Sequence, residues 1–167
     1  LWNTFFALWH HVDGEQPRAH ILESQIRPPY QGGFRLSREG MPGMPRLENA
    51  RLLGAYPFVR LELWEDPFPL DLCLEAFNPF IPGDADNSGL PTAIFYWHLR
   101  NRTKRRIDTT VLFSMLNIAG IDQFGENLNT FRREADQCGI FMTTDKFQPD
   151  DIHFGNLALV SPHTEVT

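Results

Sequence analysis

Residues 57–76 read PFVRLELWEDPFPLDLCLEA. Val59, Leu61 and Leu63 alternate with Arg60 and Glu62, and Leu70, Leu72, Leu74 and Ala76 alternate with Asp71, Cys73 and Glu75. Successive side chains of a strand point to opposite faces, so each run offers one apolar face to a core and one polar face to water. Pro67 and Pro69 stand between the runs, where neither strand can continue. The segment therefore predicts an antiparallel hairpin with one wet face, the unit from which layered β proteins are built.

Beyond the hairpin, residues 75–103 read EAFNPFIPGDADNSGLPTAIFYWHLRNRT. A loop rich in Pro, Gly and Asp separates a strand ending at Phe77 from one starting near Thr92. In the second strand Ala93, Phe95, Trp97 and Leu99 share a face, and core packing is predicted for Phe95 and Trp97. A polar turn over residues 101–106 leads to residues 108–119, read as the partner strand of 92–100 and apolar on both faces, as in a strand covered on both sides. Residues 121–137 read as a loop. Two further strands are predicted at 140–144 and 153–160, around the turn-forming residues 148–151.

Towards the amino end, residues 2–11 have strand composition, Asp13-Gly14 supplies a turn, and residues 19–26 return as the second arm of a hairpin. Residues 27–48 contain Pro28, Pro29, Gly32, Gly33, Gly40, Pro42, Gly43 and Pro45. That density of breakers predicts a long surface loop without a regular element. About eight short strands, separated by turn signals and with hardly any helix, predict an all-β fold: an antiparallel β-sandwich of two packed sheets. The 167 residues fit a single domain spanning 1–167. The chain opens at Leu1 inside an apolar run and stops at Thr167 after a strand-like run, so it reads as a fragment of a larger multidomain protein.

Composition narrows the function. A formal net charge of −6 opposes attraction to nucleic acid or to an anionic membrane, and no run of about 18 apolar residues predicts a membrane span. With two cysteines and no signal-peptide pattern, a disulfide scaffold is not expected; Cys73 reads as a reduced, packed thiol and the compartment as cytoplasmic. Asp84, Asp86, Ser88 and Gly89 imitate the first half of a calcium loop, but Phe95 stands where the closing Glu belongs, so a turn held by Asx hydrogen bonds is predicted instead. Arg100, Arg102, Lys104, Arg105 and Arg106 read as a solvated turn, and Asn101-Arg102-Thr103 matches a short glycosylation pattern.

No constellation for catalysis emerges. The six histidines lack metal-ligand spacing, and no Ser or Cys sits in a nucleophile context. A retaining glycosidase sets two carboxylates about 5 Å apart. Glu62, Glu65, Asp66, Asp71 and Glu75 cluster in sequence, yet alternation turns Glu62 to the wet face, and none is assigned a catalytic role. No catalytic, metal-binding or cofactor-binding residue is predicted. The 14 Phe, 4 Trp and 3 Tyr are read chiefly as core filling, with Trp2, Trp9 and Trp64 left open.

The wording Phe77-Asn78-Pro79-Phe80-Ile81-Pro82, followed by Ser88-Gly89-Leu90-Pro91-Thr92-Ala93-Ile94-Phe95-Tyr96-Trp97, resembles the FxPFIP…SxLPxAxFxW signature in the amino-terminal domain of glycoside hydrolase family 116. Residues 5–24, Ala55-Tyr56-Pro57 and residues 111–120 extend the resemblance more weakly, so that it covers essentially the whole chain. Asn78 stands where the family more often has Ser, and the 27–48 loop has no firm counterpart. The resemblance implies a retaining β-glucosidase or glucosylceramidase as the parent. This chain would be its non-catalytic β-sandwich, resting on a carboxy-terminal helical (α/α)6 barrel that binds the β-glucoside and holds both catalytic carboxylates. On that reading Phe77, Asn78, Pro79, Phe80, Ile81 and Pro82 form the domain interface, since an exposed apolar loop normally has a partner. The alternative is a free-standing carbohydrate-binding or adhesion sandwich.

Overall fold

A computed structural model describes residues 4–30, 41–120, 125–163 and 166. The calls for Trp2 and for Gly32, Gly33 and Gly40 lie outside the described residues. The chain divides into two compact units, Leu1–Ser114 and Met115–Thr167.

The first unit is a sandwich of two four-stranded sheets. One sheet holds β1 (Phe5–Val12), β2 (Arg18–Ser24), β3 (Arg46–Leu47) and β8 (Ile107–Ser114), in the order β3-β2-β1-β8. The other holds β4 (Asn49–Ala55), β5 (Phe58–Trp64), β6 (Leu70–Phe77) and β7 (Ile94–Asn101), in chain order. The hairpin at the centre of the second sheet has the predicted register: Leu61 faces Leu74 and Leu63 faces Leu72. Leu63 and Leu72 meet Leu8 and Leu22 of the first sheet, with Leu47, Phe68 and Leu70, in one core, against which Phe6, Leu61, Trp97, Leu99 and Ile107 pack. Leu8 and Leu63 lose essentially all contact with water, which is the main favourable term holding the two layers together. Phe6 gathers the aromatic side of this core, stacked on Phe113 and edge-on to Trp97 and Phe95; Trp97 packs on the core as predicted, whereas Phe95 is 42% exposed and lies at its margin, against the sequence expectation.

Three expectations about the strands of this unit are corrected. β8 is not the partner of β7; it pairs antiparallel with β1, from Phe5 opposite Ser114 to Val12 opposite Ile107. The short turn between β7 and β8 passes from one sheet to the other. Its first amide, Arg102 N–H, donates to Pro69 at 2.9 Å and so extends the β6–β7 ladder, whereas the Arg106 carbonyl accepts from Asp13 N–H at 3.0 Å and extends β1–β8. Second, the breaker-rich segment ends in a two-residue strand, β3, parallel to β2, so the sheet is not wholly antiparallel. Third, β4 was not anticipated; it pairs along its length with β5, from Asn49 opposite Trp64 to Ala55 opposite Phe58.

The second unit is a three-stranded antiparallel sheet, β11-β10-β9, made of β9 (Asn127–Glu134), β10 (Gln137–Thr144) and β11 (Leu157–Ser161). β9 replaces part of the loop expected over 121–137, whose residues 121–124 lie outside the described residues. Buried Asn117 holds the entry to this sheet: its amide donates to the carbonyls of Leu128 and Thr143, each at 3.1 Å, and to Asn129 Oδ1 at 2.9 Å. Both cysteines are free, Cys138 buried and Cys73 half-buried.

Candidate domain-docking loop

The loop after β6 is short of regular structure but not of restraint. Asn78 Nδ2 donates to the Thr92 carbonyl at 2.8 Å and so ties the exit of β6 to the approach of β7. Here an amide reaches across the loop, which explains how Asn serves at this position. Ser88 closes a second, smaller ring: its Oγ accepts from Ile81 N–H at 2.9 Å and donates to the Ile81 carbonyl at 3.0 Å. Asp84 caps the single helical turn α1 (Ala85–Ser88), accepting from Asn87 N–H at 3.0 Å. The Asn87 side chain and backbone donors hold the Asp84 carboxyl below its ordinary range. These are the hydrogen bonds of an Asx-type turn, and among the described residues no group of three His, Cys, Asp or Glu is arranged to hold a metal.

What the restrained loop displays is apolar. Phe80 and Ile81 are 46% and 51% exposed, and Pro82 is exposed as well. Asn78 and Pro79 are half-buried at its base. The structure adds a residue that the sequence reading did not assign to this site, Tyr56, 81% exposed in the β4–β5 turn, whose ring meets Phe80 edge-on at 5.6 Å. The register explains the meeting: Phe58, at the start of β5, lies opposite Phe77, at the end of β6, so the β4–β5 turn and the Phe77–Pro82 segment emerge from the same end of the sheet. Phe77 also packs its ring on Phe58 and Tyr96, at 5.7 and 6.2 Å. An outward row of Phe58, Phe77 and Tyr96 thus runs into the loop. Removing the Ser88 hydroxyl tests the restraint. Ser88→Ala is expected to cost about 1 kcal/mol locally, read as faster amide hydrogen exchange at Ile81 with the global melting temperature nearly unchanged.

The remaining outward face of this sheet is a charged ladder. Glu62 accepts from Arg51 Nε at 2.9 Å and from Arg60 Nε at 3.1 Å; Glu75 accepts from Arg60 Nη1 at 2.9 Å and lies 3.1 Å from His98 Nε2. Hydrogen bonds from Arg51 and Arg60 keep the Glu62 carboxyl below its usual range, which suits solvation and not proton donation. Asp71 is held by Arg100 and, at 3.5 Å, by Arg102. The basic run is likewise neutralised. Arg102 lies 3.7 Å from Asp66, Arg105 pairs with Glu15 at 2.6 Å and Arg106 with Asp108 at 2.9 Å, leaving little free positive charge for phosphates. In the Asn101-Arg102-Thr103 triplet, the Asn101 amide locks the turn, donating to the Arg105 carbonyl at 2.7 Å and accepting from Thr103 N–H at 2.7 Å.

Fold and site together define an all-β sandwich that presents a braced apolar loop, its outward carboxylates engaged by arginines. The family described as beta-glucosidase 2, glycosyl-hydrolase family 116 N-term, matches residues 1–167, the whole chain. The chain belongs to the amino-terminal domain family of glycosyl hydrolase family 116. No curated protein matches it. No helix among the described residues is long and apolar enough to cross a membrane.

Proposed function

We propose that this chain, over residues 1–167, is the non-catalytic amino-terminal domain of a retaining β-glucosidase or glucosylceramidase, and that it supports a carboxy-terminal helical (α/α)6 barrel in which β-glucosides are cleaved. The family membership supports the enzyme class. Paired, arginine-held carboxylates such as Glu62 and Asp71 support the assignment of chemistry to another part of the polypeptide. Two free cysteines fit a reducing, cytoplasmic setting.

The observation that carries the reading is the Tyr56–Phe80 pair with Ile81, apolar surface held at one end of the sandwich by Asn78 and Ser88. Apolar groups fixed in water gain by being covered, about 25 cal/mol for each Å² removed. The residues Phe77, Asn78, Pro79, Phe80, Ile81 and Pro82 are therefore proposed as the interface to the barrel, with Tyr56 added. The test is Phe80→Asp in the parent enzyme. A charge placed in a covered apolar contact is expected to lower the parent's melting temperature by several degrees, on the order of 1–2 kcal/mol, while the same substitution in the 167-residue chain leaves its melting temperature unchanged. An unchanged parent removes the docking role.

A further inference from the structure

From Phe77 to Trp97 the only charged residues are Asp84 and Asp86, and residues 54–59, around the β4–β5 turn, carry no charge. Both carboxylates stand in the short turn that follows Ile81, in a loop whose Phe80, Ile81 and Leu90 are exposed. The end of the sheet that carries this loop is therefore apolar with an acidic margin. Resting on the docking reading proposed above, we infer that the barrel face covering this loop is apolar at its centre and carries arginine or lysine at its rim, opposite Asp84 and Asp86.

Three observations carry this partner chemistry. The first is that the charges are fixed next to the apolar surface. Asp84 N–H donates to the Ile81 carbonyl at 3.0 Å, and Ser88 grips the same residue from the other end of the turn. The turn bearing both carboxylates is thus pinned to Ile81 before anything docks, so little ordering is left to oppose association. The second is the contrast in pairing. On the outward face of the sheet each carboxylate is matched within the chain: Glu62 by Arg51 and Arg60, Glu75 by Arg60, and Asp71 by Arg100. Asp84 is instead bonded inside its own turn, to the backbone and side chain of Asn87, and Asp86 is exposed. Among the described residues neither forms an ion pair.

The third is the persistence of the charge. The donors of Asn87 keep the Asp84 carboxyl below its ordinary range, so it stays ionised at neutral pH. A partner with an uncharged rim would strip water from these groups and return nothing. An acidic rim would add repulsion. Arginine or lysine returns the lost hydration as charge-assisted hydrogen bonds, around the apolar centre that protein interfaces commonly have.

The test is charge reversal at Asp86 in the parent enzyme, since Asp84 also caps the turn. Asp86→Lys is expected to lower the parent's melting temperature by several degrees at about 0.01 M salt, where the screening length is ~30 Å, and by much less at about 1 M, where it is ~3 Å. Asp86→Asn should fall between Asp86→Lys and the native enzyme at low salt. Neither substitution should move the melting temperature of the 167-residue chain by itself, where Asp86 is exposed. The inference is overturned if Asp86→Lys leaves the parent unchanged, raises its melting temperature, or lowers it equally at both salt concentrations. Phe80→Asp separates that failure from failure of the docking reading: a parent destabilised by Phe80→Asp alone keeps the loop as an interface and loses only its basic counterpart. A dimer of the 167-residue chain that Phe80→Asp dissolves would make a second copy the occupant and overturn the inference as well.

Discussion

Acidification from about pH 6.5 to about pH 4 is expected to remove roughly 3 kcal/mol from the stability of the sandwich unit through a buried histidine. The cause is His20. Burial, then the neighbouring His10 and Arg18, depress its pKa from 6.5 to about 4, and His10 is shifted the same way by burial, with Arg18 next. The unfolded chain takes up a proton on each imidazole near pH 6.5, whereas the folded chain refuses it, so unfolding binds protons and is favoured as the pH falls. The stabilisation is fully present above the unfolded pKa and is lost as the pH descends to the folded one. Glu15 acts on His10 in the opposite sense without outweighing burial, and Glu65 stands 3.9 Å from His20 Nε2. Urea unfolding followed by the fluorescence of Trp9, Trp64 and Trp97, all in this unit, should give a constant stability above about pH 7 and a steady decline below it. His20→Gln, uncharged at every pH, should flatten most of that decline. A native curve already flat between these limits would contradict the assignment. Glu62, Asp84 and Asp151 have depressed pKa values, so their contribution begins to fall only as the pH passes below the ordinary carboxylate range at about 4, and the decline between about pH 7 and about pH 5 reports the histidines.

That histidine pair also shows where sequence reading stops. His10 and His20 are ten positions apart and follow no metal-ligand spacing; they meet because β1 and β2 pair with Leu8 opposite His20 and His10 opposite Arg18, a register that alternation alone does not specify. The β5–β6 hairpin was legible for the opposite reason: Leu61, Leu63, Leu72 and Leu74 stand on one face between charged residues, and burial of that face admits only one register. β9 was illegible because nearly all its residues are exposed, so NLNTFRRE carries no apolar period. β4 was hidden by its exposed Leu52-Leu53 pair, which breaks alternation. The short connection suggests pairing of β7 with β8, yet a turn of that length also serves to cross between layers when its first and last backbone groups continue two different ladders, as those of Arg102 and Arg106 do. The loop proposed for docking is singled out by its wording, and its extension to Tyr56 required the register of Phe58 with Phe77.

Substituting Gly139 by alanine is expected to disrupt the three-stranded unit while leaving the sandwich unit folded. Gly139 lies in the middle strand β10, opposite Val160 of β11. A methyl group placed there would sit 2.2 Å from the Leu159 carbonyl oxygen and 3.0 Å from Val160 Cα. Both obstacles are backbone, so no rotamer change relieves them; β11 must move away and give up ladder hydrogen bonds. Overpacking of this kind costs about 1–3 kcal/mol, and the upper end applies where the obstacle cannot rotate. Because residues 115–167 form a compact unit of their own, the loss should be local, since small substructures open independently of larger ones. Amide hydrogen exchange is the suitable measurement: protection of residues 157–161 should fall by about ten- to a hundredfold, with protection in β5 and β6 retained. Gly54→Ala supplies the contrast. It also replaces a strand glycine, but nothing lies within 4 Å of the added methyl, and the smaller backbone freedom of alanine should leave stability unchanged or raise it by up to about 1 kcal/mol. If both substitutions behave alike, the close approach of β10 and β11 at Gly139 is not what requires glycine there.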